Sequence, residues 1–133
     1  MIDLVAGQVQ VVFATGASAV PQIKNGKIKG IAVTTIKRSA LMPELPTIAE
    51  SGLKGYDANN WYGVMVPAKT PRAVINRLND ETTKVLNMPD VKSFLFNQGL
   101  DAAPGTPEAF GAYIKAERVK WAKVIKAAGA KAE

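Results

Sequence analysis

The 133-residue chain contains no cysteine and no histidine. Without cysteine there is no disulfide, no thiol nucleophile and no thiolate zinc site. Without histidine the usual general base, the commonest metal ligand and the Ser-His and Cys-His nucleophile pairs are all excluded. Hydroxyls such as Thr35, Ser39 and Ser51 therefore have no imidazole to activate them. The carboxylates Asp57, Asp80, Glu81, Glu108 and Glu117 form no pair or cluster at a spacing that suits catalysis or metal binding. These absences predict no catalytic residue, no metal and no cofactor, and they point to a binding protein rather than an enzyme. No run is long and apolar enough to span a membrane. The opening residues lack both a positive n-region and a small-residue cleavage site, so no export signal is expected in this chain.

What the chain does have is ordinary globular chemistry. It is 47% hydrophobic and 21% charged, with a formal net charge of +6. That charge invites a nucleic-acid reading, but the lysines are dispersed. Lys24, Lys27, Lys29, Lys54, Lys84, Lys92, Lys115, Lys123 and Lys131 form no single block interleaved with aromatics. They read as solvated side chains, and no nucleic acid is expected as a partner.

The chain changes character at residues 60–67, NNWYGVMVP when read from Asn59. Trp61, Tyr62, Val64, Met65 and Val66 are aromatic, β-branched or bulky, and Pro67 closes the run, which predicts a strand. Before it come two continuous apolar runs, residues 9–14 and 29–35, with a helix expected over residues 19–25 between them. Residues 2–6 read as a helix end stopped by Gly7. Two buried strands joined by a short helix predict a βαβ unit in a parallel sheet. Residues 37–55 read as a loop, with a helical turn begun by Thr47. After the 60–67 run, three amphipathic helices are predicted, each announced by a proline: Thr70-Pro71, Pro89 and Thr106-Pro107, with Gly99 and Gly129 as stops. The fold class is α/β, with residues 60–67 read as the strand that carries the chain from one half of a two-lobed protein, residues 1–59, into the other, residues 60–133 with the three helices.

Two places can hold chemistry. In the turn Thr15-Gly16-Ala17-Ser18, between the first strand and the helix, small residues let backbone N–H groups reach a carboxylate or phosphate. The plainer alternative is a tight βα turn that binds nothing, since no nucleotide fingerprint surrounds it. Trp61-Tyr62 reads either as the wall of a small-molecule site or as a pair of core aromatics. Strand alternation sends the two side chains to opposite faces. Glu117 falls on the apolar stripe of the last helix, which predicts a basic partner or a place at the stripe's edge.

Several segments together resemble one known family. They are DLVAGQVQVVF near the start, the run R-S-x-x-x-P-x-x-P-T-x-x-E-x-G over residues 38–52, the run W-Y-G-x-x-x-P-x-x-T-P over residues 61–71, and the closing GTPEAFGAYIKAERVKWAKVIKAAG. In this order they resemble the C-terminal half of the solute-binding proteins of tripartite tricarboxylate transporters, the TctC or Bug family. The resemblance implies a Venus-flytrap fold of the periplasmic-binding-protein kind, here truncated, with a C-terminal set of three helices. It implies capture of a small organic carboxylate (a dicarboxylate or tricarboxylate, an amino acid or an aromatic acid), delivery to a membrane permease, and a periplasmic location. It carries Thr15, Gly16 and Ser18 over as ligand-binding residues of the turn, and Trp61 as one of the crossing strand. Two departures bear on the ligand. An H-V-P-Y-K-G-like loop is absent, and Ala14-Thr15 stand where relatives often carry an Asp-Asn-like pair.

Family members are about twice this length or more, a size usual for two lobes. Half a flytrap exposes sheet edges and lobe interfaces that need cover, which predicts a homodimer or swapped assembly, or a chain poorly stable alone. The competing reading is an oligomeric interaction module, left by truncation, that binds no solute.

Overall fold

The computed structural model describes residues 1–130, and Lys131 lies outside the described residues. Helix α1 spans Ile2–Val5, α2 Gly16–Lys24, α3 Arg72–Asn87, α4 Pro89–Asn97 and α5 Pro107–Ala128. The chain forms two compact units. One comprises Met1–Met65 and Pro89–Ala102; the other comprises Val66–Met88 and the residues from Ala103 onward. The boundary after Met65 falls inside the 60–67 run, where the chain changes character in sequence. Helix α4, however, groups with the first unit rather than with the other C-terminal helices.

The expected parallel sheet is not formed among the described residues. Residues 9–14, 29–35 and 60–67 are extended or irregular, and the one ladder element is an isolated parallel bridge between Val33 and Thr47. At that bridge the Val33 amide donates to the Pro46 carbonyl (2.9 Å), and the Ile48 amide donates to the Val33 carbonyl (3.0 Å). The Ala58 amide adds a bond to the Thr34 carbonyl at 2.9 Å. The physical reason is that a strand is defined by its neighbour. β-Propensity makes a segment extended, but the ladder needs a second backbone alongside. Among the described residues none forms a ladder with residues 10–14 or 62–66, and large side chains of both segments stand exposed. Val11 is 65% exposed, Phe13 75%, Tyr62 71% and Val64 69%. Among the described residues the buried apolar side chains are correspondingly few, Val20 and Met42.

The helix predictions fare differently from one end to the next. α5 starts as its sequence dictates: the Thr106 hydroxyl accepts the Ala109 amide at 3.1 Å, and Pro107 takes the first helical position. It ends at Gly129 in the left-handed region (φ 65°). Thr70 does not cap α3. Pro71 is the N-cap residue instead, and the Thr70 amide is spent in a turn back to the Pro67 carbonyl. α2 begins at Gly16, three residues earlier than expected. The turn predicted as a loop is thus the first turn of a helix. Further along, Pro21 cannot donate to the Ala17 carbonyl.

In the second unit α3 packs against α5. The Asn79 side-chain amide donates to the Gly105 carbonyl at 2.7 Å, and Arg72 pairs with Glu108. Glu117, on the inward stripe of α5, is the buried charge of this unit. Its carboxylate accepts the Trp121 indole N–H at 2.9 Å and pairs with the Lys120 ammonium at 2.5 Å. The sequence placed this residue on the apolar stripe, and the structure shows how it is tolerated there. Both oxygens are occupied, chiefly by Lys120, and its carboxyl is held below the usual glutamate value.

Candidate functional site

Thr15 adopts the extended conformation of an N-cap residue (φ −71°, ψ 150°), but its side chain makes no cap bond. Its hydroxyl instead meets the Ser18 hydroxyl at 3.1 Å, while the Ser18 hydroxyl also reaches the Thr15 carbonyl at 3.0 Å. The Ser18 and Ala19 amides donate to that same carbonyl. Helical geometry leaves the N–H groups of Gly16 and Ala17 with no intrahelical acceptor. All four residues from Thr15 to Ser18 are exposed. The two hydroxyl protons are spent within the turn, which leaves a helix start with two unshared amides and the partial positive charge of the helix terminus, an arrangement suited to a carboxylate.

This turn packs against Gly99, in the turn that follows α4. A Cβ built on Gly99 would lie 2.6 Å from both the Ala17 nitrogen and the Gly16 carbonyl carbon. A Cβ on Gly16 would lie 2.8 Å from the Gly99 oxygen. Gly99 also has φ +77°, which a side chain would resist. Two glycine backbones are therefore in direct contact. Sequence reasoning read Gly99 only as a helix stop; the glycine pair itself, 83 residues apart, offered no local signal.

Trp61 lies on the extended run of the same unit and is half-buried. Tyr62 is exposed, and its hydroxyl accepts from the Asn60 amide at 3.3 Å. The hydrogen bonds that shape the Thr15–Ser18 turn come from within that turn, so the structure brings Thr15, Gly16 and Ser18 together. Two hollows, of about 540 Å³ and about 370 Å³, lie apart from these residues. One is lined in the second unit by Asn79, Thr83 and Thr106, the other in the first by Lys92, Phe96 and Asp101. Both are open depressions. The helix start, with its two unshared amides, is the candidate taken up below. No cluster of acidic groups that could hold a metal is found among the described residues.

The run over residues 38–52 proves to be a scaffold. The Thr47 hydroxyl accepts the Glu50 amide (3.0 Å), and the Glu50 carboxylate accepts the Thr47 amide (2.9 Å), a capping box. Arg38 joins it, donating from Nε to Glu50 at 2.9 Å and from Nη1 to the Pro43 carbonyl at 3.2 Å. Ser51 donates to the Thr47 carbonyl at 2.9 Å. The backbone bond from Thr47, reinforced by Arg38, holds the Glu50 carboxyl below its ordinary value. Thr47 is the most deeply buried side chain among the described residues, 1% exposed. The Thr-x-x-Glu spacing was there to be read; the Arg38 link was not.

The family model described as "Tripartite tricarboxylate transporter family receptor" matches residues 1–130. A curated relative from Pseudomonas sp. (strain P51), named for the tcbD-tcbE intergenic region, is 39% identical over 92% of this chain. Among solved structures, R. palustris Rpa4515 with adipate superposes with a TM-score of 0.85 at 33% identity over 96% of this chain. The periplasmic binding protein BugD does so with a TM-score of 0.75 at 33% identity over 86%. The chain spans 37% of the Pseudomonas relative, 43% of the Rpa4515 chain and 39% of the BugD chain.

Proposed function

Because the chain belongs to the tripartite tricarboxylate transporter receptor family, whose members are substrate-binding receptors and not enzymes, we propose that it serves in the periplasm to capture a small organic carboxylate for a membrane permease. The observation that carries this reading is the likeness to Rpa4515 with adipate, a linear dicarboxylate, over 96% of the chain. The local chemistry supports it. One carboxylate of such a ligand is met by the Gly16 and Ala17 amides at the start of α2, beside the Thr15 and Ser18 hydroxyls, and Trp61 supplies an apolar wall. The net charge of +6 favours an anionic guest. Residues 1–59 and residues 60–133 belong to the two lobes of a receptor-length protein, with the chain crossing between them at residues 60–67.

A second reading rests on the exposed, unladdered residues 10–14 and 62–66. In it the chain is a homodimeric interaction module that pairs these segments and takes no solute. One experiment separates the two: sedimentation of the purified chain beside a thermal-shift screen of linear dicarboxylates, tricarboxylates, amino acids and aromatic acids. A rise in Tm with one acid class supports the receptor. A dimer indifferent to every acid supports the module, and a monodisperse monomer excludes the homodimer.

A further inference from the structure

Two of the lysines that look dispersed in sequence, Lys115 and Lys123, share α5 with Arg118 and Lys126. Lys115, Arg118, Val119, Ala122, Lys123 and Lys126 follow the spacing i, i+3, i+4, i+7, i+8, i+11 and so share one face, about 16 Å long. Every one of these residues is exposed, Val119 by 59%. The face lies opposite the inward stripe of Phe110, Ile114 and Glu117. The two acids of α5 are engaged elsewhere, Glu108 with Arg72 and Glu117 with Lys120 and Trp121. Among the described residues no carboxylate pairs with Lys115, Arg118, Lys123 or Lys126. Four like charges on adjacent turns repel one another, a cost that an anionic partner reverses.

We propose that this face of α5 docks an acidic helical segment of a protein partner. The middle of the stripe is Val119 and Ala122, a narrow apolar seam flanked by Arg118 and Lys123. That pattern suits the ridge of another helix, with acidic residues on either side of small apolar ones. It does not suit a lipid surface, for which an interfacial helix sets Trp, Phe or Leu against its basic face. The proposal rests on the receptor reading to the extent that the permease is the natural owner of the acidic segment.

The test uses the intact chain and a fluorescein-labelled 20-residue helical peptide with Glu flanking an Ala/Leu seam. Its binding is followed by anisotropy at two salt concentrations. The double variant Arg118→Glu/Lys126→Glu is compared with Lys24→Glu/Lys29→Glu, which changes net charge equally in the other unit. We expect at least a tenfold weaker Kd for the α5 variant and less than a twofold change for the other. Val119→Asp, on the same seam, is expected to weaken binding by a similar factor. Equal loss in both charge variants reduces the effect to bulk charge and overturns the proposal. Tighter binding to phosphatidylglycerol vesicles, or to a single-stranded oligonucleotide, than to the peptide overturns it as well. The α5 variant keeps whatever solute-dependent Tm shift the wild type shows. A wild type with no solute shift sinks the receptor reading and leaves the peptide result intact.

Discussion

Arg38 and Glu50 share a single oxygen with Thr47: the Arg38 Nε and the Thr47 amide both donate to Glu50 Oε2, each at 2.9 Å. The arginine is twelve residues before the carboxylate, so this contact pins the loop of residues 38–46 onto the turn that follows it. The Pro43 carbonyl, held by the second arginine nitrogen, adds a midpoint to the clamp. Thr47, buried beneath it, also takes part in the parallel bridge with Val33. Thr47→Ala removes the cap and leaves the Glu50 amide without an acceptor. Losing such a cap costs roughly 1–2 kcal/mol, and chemical denaturation is expected to show a lower midpoint with an unchanged slope.

The same clamp sets a pH dependence. The folded-state pKa of Glu50 lies below its unfolded value, as does that of Glu117. The stability each contributes is therefore fully present above the ordinary glutamate pKa, about 4.3. It is lost as pH falls through the depressed folded-state values. Tm is expected to be flat from neutral pH down to about 5 and to fall below that. Glu50→Gln/Glu117→Gln should lower Tm at neutral pH and flatten the acid limb. An acid limb as steep as in the wild type would place the titrating groups elsewhere.

The capping corrections make a clean pair. Thr106→Ala deletes the hydroxyl that holds the Ala109 amide and should cost about 1 kcal/mol. Thr70→Ala deletes a hydroxyl that caps nothing and should fall within about 0.5 kcal/mol of wild type. Equal losses at the two sites would mean that Thr70 caps α3 in solution.

The contact between Gly16 and Gly99 separates stability from binding. Gly99→Ala places a methyl 2.6 Å from the Ala17 nitrogen and forces an L-residue to φ +77°. The backbone conformation alone costs about 1–2 kcal/mol, and the collision must shift the start of α2. Gly129→Ala is the control: its φ is +65°, with nothing within 4 Å of the added atom. Both should lower Tm, but only Gly99→Ala should also abolish a carboxylate-induced shift.

The comparison of sequence with structure turns on where each signal resides. Local devices were legible. Thr106, Pro107 and Gly129 delimit α5 because a cap or stop is decided within four residues. Glu117 was legible as an anomaly on its stripe. The sheet was not recoverable from this chain, because a ladder at residues 10–14 or 62–66 requires a neighbouring backbone and apolar content reports only the readiness to accept one. The turn at Thr15 was found, but its start was misplaced. Gly16 and Ser18 have weak helix propensity, and the structure makes them helical against that preference, with the Gly99 backbone packed behind the turn. The basic face of α5 escaped for the opposite reason. Lys115, Arg118, Lys123 and Lys126 look scattered when read along the chain and become one face only at 3.6 residues per turn.

Ser18 offers the sharpest test of the candidate site, because stability and binding should move in opposite directions. It is the third residue of α2, and a carboxylate there faces the positive end of the helix. Ser18→Asp is therefore expected to hold or raise stability, by about 0.3–1 kcal/mol. The same carboxylate occupies the place assigned to the solute and repels it. A Tm shift induced by a dicarboxylate in the wild type should vanish in Ser18→Asp, while Ser18→Ala, which loses one hydroxyl and keeps the amides, should retain part of it. If Ser18→Asp responds to the acid as the wild type does, the solute binds away from the α2 start, and the helix terminus is no more than a well-formed βα turn.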